Sequence, residues 1–479
     1  MKKILYVGSE CMPVAATGGL GDVLGSLPAA VKKQYGDEAD VRVVMPLYDK
    51  VDGAWRQSMT EEAVFTVSLG WRRQYCGVLS LEKDGVIYYF IDNEYYFRRG
   101  ALYGQYDDGE RFAYFSMAVM DMLRELDFYP DVIHANDWQS ALSIVYLNVI
   151  YKSRAGYGNI KTVFTIHNIE YQGKFDMAIL GDVFSIGNDQ IPLMEWDGCM
   201  NLMKAAIECA DRVTTVSPRY AQEIQGDEYS HGLGPILRGV SYKLSGILNG
   251  IDYDYYDPHS DPVIAKRYMW RSIVGKKQDK EALLNELSLP LSDAPVFSII
   301  SRLVEHKGTD LVCRVAHRML SEHDAYLVVL GTGDSGYEDF FRSLESRFPD
   351  RVRALICYDR ALSKRIYAAS DFFIMPSKSE PCGLSQMIAS RYGAVPITRE
   401  TGGLYDSIKG YWVENGEIRG NGFTFANYSA EELYDRICAA LWLYDNDKTG
   451  MRRLQQKVMR EDFSWSASAD RYADMYNSL

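Results

Sequence analysis

No stretch of 18 consecutive apolar residues occurs in this 479-residue chain, which excludes a transmembrane helix. The first apolar run, inside MKKILYVGSECMP, is too short for a secretory leader and reads as a β-strand. Positive charge is also scarce. Lys and Arg number 52 against 65 Asp and Glu, a formal net charge of −13, so the basic field that general nucleic-acid binding needs is missing. An anion bound here must instead meet a local cluster of cations and backbone N–H groups. The eight cysteines show no C-x-x-C pair and no Cys/His spacing suited to zinc. They fit a reducing cytoplasm, mostly as small buried hydrophobes. No low-complexity segment appears.

What is present is length and alternation. A chain of 479 residues exceeds what one hydrophobic core usually supports. KILYVGS, VRVVMP, DVIHAND, KTVFTIHN and DRVTTVSP read as buried strands of a parallel sheet. Helical stretches are expected at Leu20–Tyr35, Arg111–Leu126 and Ala141–Tyr151, with a more antiparallel insertion over Phe65–Ile91. The pattern then restarts in PVFSIIS, AYLVVLG, VRALICY, DFFIMPS and AVPIT, five further strands with helices between them. The seam falls near SGILNGIDYDYYDP, Ser245–Pro258. Two doubly wound α/β domains follow. They are expected at 1–247, completed by the C-terminal helix 462–479, and at 248–461.

One word occurs twice, ATGGLGD at Ala16–Asp22 and ETGGLYD at Glu400–Asp406. Each copy follows a predicted strand and opens a predicted helix. Glycines there let a ligand approach the backbone, and a helix N-terminus offers unpaired N–H groups to an anion. Either loop alone is equally an ordinary strand–helix turn; the matched pair favours a phosphate-bearing ligand. A competing motif is LGTGDSG, whose Gly331, Gly333 and Gly336 satisfy G-x-G-x-x-G after a strand, with Asp359 as the acid a dinucleotide fold wants. It lies inside the second sheet and does not open a domain.

Other polar clusters sit at predicted strand ends. In SRLVEHKG, Arg302 and Lys307 are placed to clamp a diphosphate, or else are solvated charges. In SKSEPCGLSQ, Glu380 precedes a helix start containing Cys382, Gly383 and Leu384; it is either a sugar-binding carboxylate or a dipole-favoured acid. HANDWQ ends a strand at Asp137, a ligand group or an N-cap. FTIHNIEYQG ends another at His167, and ILNG places Asn249 at the seam.

These motifs, in this order from Lys3 to about Tyr476, resemble those of bacterial glycogen synthases and plant starch synthases. EPCGL followed by TGGL, with the N-terminal TGGL, is the most specific part of the likeness. The resemblance implies a GT-B fold: two Rossmann-like domains with the active site in the cleft between them. It implies transfer of glucose from a nucleotide-glucose to the non-reducing end of an α-1,4-glucan, with retention, without a metal or other cofactor, and in the cytoplasm. By motif position, Arg302 and Lys307 match the diphosphate-binding pair and Glu380 the glutamate near the transferred glucose. Cys382, Gly383, Leu384 and the Thr401, Gly402, Gly403 loop match contacts to glucose and phosphate. His167, Asp137 and Asn249 match residues around the sugar, and Gly18 and Gly19 the N-terminal loop that meets the donor. Gly331 falls among the donor-binding positions, and Tyr358 is placed like an aromatic that stacks on the base.

One departure stands out. The family's first loop usually begins with lysine, and here that position is Ala16. A charged hydrogen bond of that kind is worth roughly 1.5–3 kcal/mol, so UDP-glucose joins ADP-glucose as a candidate donor. The rival readings are an NAD(P)-linked oxidoreductase built on Gly331–Gly336, a pyridoxal-phosphate-dependent phosphorylase of the same fold, and a non-catalytic glucan-binding protein with a degenerate donor site. The 35 tyrosines offer stacking platforms for glucan or serve as core and interface filler.

Overall fold

The computed structural model describes residues 1–479. The chain folds as two compact units, Met1–Gly250 with Trp465–Leu479, and Ile251–Ser464. No helix is long and apolar enough to cross a membrane.

The first unit is built on nine strands: β1 Lys2–Val7, β2 Ala39–Pro46, β3 Thr60–Leu69, β4 Arg72–Lys83, β5 Val86–Asp92, β6 Val132–Asn136, β7 Lys161–Ile166, β8 Arg212–Thr215 and β9 Leu244–Gly246. Their order across the sheet is β9-β8-β7-β6-β1-β2-β5-β4-β3. From β9 to β5 neighbours run parallel, in register such as Val7 opposite both Val44 and Ala135. Helices cover both faces of such strands, which is why ILYV in β1 and all of VIHAN in β6 are buried. The expected antiparallel insertion is the far edge of this same sheet. It begins at Thr60, with β4 antiparallel to both β3 and β5. Edge strand β3 is mostly exposed and carries Glu61 and Glu62, charges that discourage pairing with another chain.

Two expected helices appear as Gly19–Tyr35 and Asp108–Glu125. The third, expected at Ala141–Tyr151, is an α-helix over Trp138–Tyr146 that continues as a π-helical turn, Leu147–Tyr151. Helix Trp465–Asn477 returns to this unit. Tyr35 donates to the Ala473 carbonyl at 3.0 Å, and the Tyr476 hydroxyl lies 2.6 Å from Nδ1 of His134 beneath it. His134 is fully buried, which pushes its pKa down to about 3.

The second unit has six main strands, not the five expected: β10 Val296–Ile300, β11 Tyr326–Leu330, β12 Val352–Leu355, β13 Phe372–Met375, β14 Val395–Arg399 and β15 Phe423–Phe425. The order is β12-β11-β10-β13-β14-β15, all parallel. β15 escapes a sequence reading because only three residues pair and a glycine precedes them. One core, including Phe297, Leu327, Val329, Phe372, Ile397 and Phe423, lies under the helices Thr309–Glu322 and Ala430–Asn446.

Candidate active site

In an open parallel sheet, ligands bind outside the carboxyl ends of the strands, where the strand order reverses. The first unit has that point between β1 and β6, and the second between β10 and β13. The sequence-predicted residues gather at these two places.

In the first unit the loop leaving β1 carries Gly18 and Gly19 into the helix Gly19–Tyr35, with Gly18 as its N-cap. A Cβ built on Gly18 or Gly19 meets nothing within 4 Å, and neither has a positive φ. Nothing inside the protein requires glycine at these two positions. The loop is gripped from beneath by Glu10, buried at 4 % exposure. Its carboxylate accepts from the Thr17 and Gly18 backbone N–H groups, from the Thr17 hydroxyl at 3.0 Å and from the Tyr103 hydroxyl at 2.7 Å. Sequence reasoning missed Glu10, since a lone glutamate in a loop carries no signal.

Across the reversal, β6 ends at Asn136, and Asp137 follows it. Asp137 takes a left-handed φ of 57°, unusual for a side chain. Its Oδ1 accepts from the backbone N–H of His167 at 2.7 Å and of Asn168 at 3.4 Å. Asp137 sits at the N-cap position of helix Trp138–Tyr146, but its side chain makes no capping bond. Burial pushes its pKa up to about 7, against the lowering effect of those two N–H groups. His167 follows β7, and burial pushes its pKa down to about 3. Its Nε2 lies 2.9 Å from Oδ1 of Asn136. Asn249, beyond β9, is 6 % exposed, and its Oδ1 has no hydrogen-bond partner. Such an orphaned acceptor costs about 1–3 kcal/mol, as expected where a ligand is to be met.

In the second unit the loop after β10 and the loop after β13 meet in an ion pair. Lys307 Nζ donates to Glu380 Oε2 at 2.7 Å, and the Ser377 hydroxyl donates to the same oxygen at 3.1 Å. Glu380 is 5 % exposed. Gly308, at φ 74°, lets these loops touch, since a Cβ there would stand 2.2 Å from the Pro376 carbonyl. Arg302 is exposed, with Nη2 3.3 Å from Nε2 of His306.

The second TGGL loop is a different object from the first. Thr401 caps a helix of only six residues, Gly402–Ser407. The Gly403 N–H donates inward to the carbonyls of Glu380 at 3.1 Å and Pro381 at 3.2 Å. A Cβ on Gly402, at φ 44°, would lie 1.9 Å from the Glu380 carbonyl; one on Gly403 would lie 2.1 Å from that of Cys382. Here glycine is demanded by the packing of one loop on another. Cys382 is buried, Gly383 has φ 71°, and Leu384 precedes the helix Ser385–Arg391. Gln386 ties the set together, its Nε2 donating to Cys382 and Gly383 carbonyls and to the Ser407 hydroxyl.

Two of the three glycines of GTGDSG have the same kind of explanation, while a Cβ on Gly336 would meet nothing within 4 Å. A Cβ on Gly331 would stand 1.8 Å from the Ser301 carbonyl and one on Gly333 2.1 Å from that of Leu303. Asp359, the acid a dinucleotide site would need, caps helix Arg360–Ala369 through the Leu362 N–H. The dinucleotide reading therefore loses two of its three glycines and its acid to local structure. Tyr358, before that cap, is 79 % exposed, its hydroxyl accepting from Arg360 Nε at 2.7 Å. The second unit thus brings Lys307, Glu380, Cys382, Gly383, Gly402 and Gly403 into one bonded set. Gly331 and Tyr358 lie one and two strands further along the same edge. No group of three His, Cys, Asp or Glu side chains is arranged to hold a metal ion.

Similarity to known proteins follows the same division. Residues 3–239 match the model of the starch synthase catalytic domain, and residues 284–452 that of glycosyl transferases group 1. The chain is 46% identical over 481 residues to a glycogen synthase of Clostridium botulinum, covering 100% of this chain and 99% of that one. It is 45% identical to a glycogen synthase of Streptococcus sanguinis, covering 100% of both. Among solved structures, the catalytic domain of starch synthase IV from Arabidopsis thaliana, bound to ADP and acarbose, superposes with a TM-score of 0.91 at 35% identity, over 100% of this chain and 99% of that one. The doubly wound units, the loops at their strand-order reversals and identity of this extent lead to one assignment: the chain belongs to the glycogen synthase and starch synthase family of GT-B glycosyltransferases.

Proposed function

We propose that the chain moves glucose from a nucleoside-diphosphate glucose, ADP-glucose first, onto the non-reducing end of an α-1,4-glucan with retention of configuration. The observation that carries this reading is the Lys307–Glu380 pair, held where the strand order reverses and backed by the interlocked EPCGL and TGGL loops. The starch synthase relative binds ADP, which supports the adenine donor.

Arg302 and Lys307 stabilise the leaving diphosphate as its charge develops, the guanidinium through paired hydrogen bonds and the ammonium as a point charge. Gly18 and Gly19 give the donor bare backbone to approach. Both bonds to Glu380 fall on Oε2, which leaves Oε1 to face the oxocarbenium-like sugar. The group paired with Glu380 is a lysine, not a second carboxylate at the roughly 5–5.5 Å spacing of a retaining glycosidase, so no covalent glycosyl-enzyme is invoked. The acceptor 4-hydroxyl attacks from the face the diphosphate leaves, and a diphosphate oxygen takes its proton. Asp137, His167 and Asn249 border the sugar, and Tyr358 stacks on the base. No metal or other cofactor enters. The setting is the cytoplasm, which the eight free cysteines suit.

The test is glucose transfer to a glycogen primer from ADP-glucose and from UDP-glucose, side by side, for the wild type and Ala16→Lys. Transfer is expected from ADP-glucose, and the added lysine is expected to lower the donor KM about tenfold, the equivalent of roughly 1.4 kcal/mol. Transfer from neither donor refutes the proposal. A preference for UDP-glucose keeps the reaction and reassigns the donor.

A further inference from the structure

His167 is held twice by consecutive residues. Along a strand, neighbouring side chains point to opposite faces, so Asn136 and Asp137 should diverge. The left-handed backbone at Asp137 breaks that alternation. Asp137 takes the His167 backbone N–H at 2.7 Å, and Asn136 meets the ring at 2.9 Å.

The orientation of the Asn136 amide follows from its other bonds. Nδ2 donates to the Val7 carbonyl at 3.2 Å and to the His134 carbonyl at 3.1 Å. Turning the amide over would set its oxygen against two carbonyl oxygens in a site where Asn136 is 1 % exposed. Oδ1 therefore faces the histidine, and an acceptor opposite Nε2 requires a proton on Nε2. A neutral ring then carries its lone pair on Nδ1.

We propose that Asn136 is a positioning residue that fixes the His167 ring as its Nε2–H tautomer, leaving Nδ1 as a hydrogen-bond acceptor for a hydroxyl of the transferred glucose. The role toward glucose rests on the function proposed above; the tautomer does not. The ring stays neutral through the working pH range, because burial holds its pKa near 3. The titratable groups around it are Asp137, His134 and, behind Asp137, Glu10.

The test has two parts. In the ligand-free protein labelled with 15N-histidine, long-range proton–nitrogen correlation reads the tautomer directly. The chain has seven histidines, and the His167 resonances are assigned by their loss in His167→Gln. The expected pattern is a protonated Nε2 and a bare Nδ1, unchanged from about pH 5 to 8. A protonated Nδ1, or exchange between the two forms, overturns the proposal. The second part uses Asn136→Asp and Asn136→Leu in the glucosyl-transfer assay. The leucine variant loses the acceptor, and kcat should fall about 10- to 100-fold while donor KM moves little. The aspartate variant keeps an acceptor but places a carboxylate against the ring, raising its pKa. Activity should then recover with rising pH along a new acid limb absent from the wild type. A wild-type pH profile in Asn136→Asp overturns the positioning role even if the tautomer is as expected. Absence of transfer by the wild type, with the Nε2–H pattern intact, counts against the function and not against the tautomer.

Discussion

The two TGGL loops share a sequence and differ in what their glycines do, and a matched pair of substitutions separates the roles. Gly402→Ala puts a methyl 1.9 Å from the Glu380 carbonyl at φ 44°. The left-handed conformation costs about 1–2 kcal/mol for an alanine, and relieving a backbone clash adds about 1–3 kcal/mol. The sum, about 2–5 kcal/mol, corresponds to a fall in Tm of roughly 4–20 °C for a unit of 150–250 residues. Gly18→Ala puts its methyl where no atom lies within 4 Å and at a negative φ, so stability should stay within about 0.5 kcal/mol. Its effect should fall on the donor. A methyl that holds the diphosphate off the loop should cost it about one charged hydrogen bond made elsewhere, about 1.5–3 kcal/mol, or about 10- to 150-fold in kcat/KM for the nucleotide-glucose. Differential scanning fluorimetry and initial rates against donor concentration read the two effects. A Gly18→Ala protein that is stable and keeps kcat/KM within twofold refutes the idea that bare backbone there serves the donor. A Gly402→Ala protein with unchanged Tm refutes the interlock of the EPCGL and TGGL loops.

Lys307→Met strips the buried Glu380 of its cation and should cost about 3 kcal/mol in the second unit. The double variant Lys307→Met/Glu380→Gln should recover most of that stability in urea unfolding yet remain without transfer activity, and a double variant that regains activity refutes the charge roles. For the first unit, between pH 6 and 5 the unfolded chain holds protons on His134 and His167, while the folded unit keeps both neutral and holds one on Asp137 instead. Unfolding then takes up about one net proton, so stability falls by roughly 1.4 kcal/mol per unit of decreasing pH. Asp137→Asn removes the opposing proton and should about double that slope in denaturant titrations at the two pH values. An unchanged or shallower slope shows that Asp137 is not held protonated.

The parallel strands were legible because burial on both faces writes them as near-continuous apolar runs; ILYV in β1 and YLVVL in β11 are examples. β15 was not, since a three-residue strand is defined by its neighbour β14 and not by its own composition. The motif positions Arg302, Lys307, Glu380 and His167 could be named from the sequence, but not what each one touches. A glycine reads the same whether it faces open space, as Gly18 does, or a carbonyl, as Gly331, Gly402 and Gly403 do. That is why GTGDSG imitated a dinucleotide loop. Glu10 and Asn136 were invisible for a related reason: their importance lies in which hydrogen bonds they complete, and those partners include Val7 of β1, His167 just past β7 and Tyr103.

The contrast between the loops also bears on how the absence of lysine at position 16 is tolerated. In the second unit Lys307, Ser377, Glu380, Gln386, Gly402 and Gly403 are linked by hydrogen bonds or by contacts too close for a Cβ. That arrangement is preorganised, and substitutions within it should be strongly non-additive. In the first unit one carboxylate, Glu10, takes up the N–H groups of Thr17 and Gly18. Those N–H groups are committed inward, so they are not free to meet a phosphate. A negative charge also lies just beneath the loop, with Ala16 offering no compensation. On the proposed function, electrostatic attraction for the diphosphate is assigned chiefly to Arg302 and Lys307, and the first loop is assigned shape: two bare glycines over a fixed carboxylate. Added salt screens an exposed guanidinium such as Arg302 more than it alters a steric fit. On this division, donor KM should rise with ionic strength in the wild type and lose most of that dependence in Arg302→Ala.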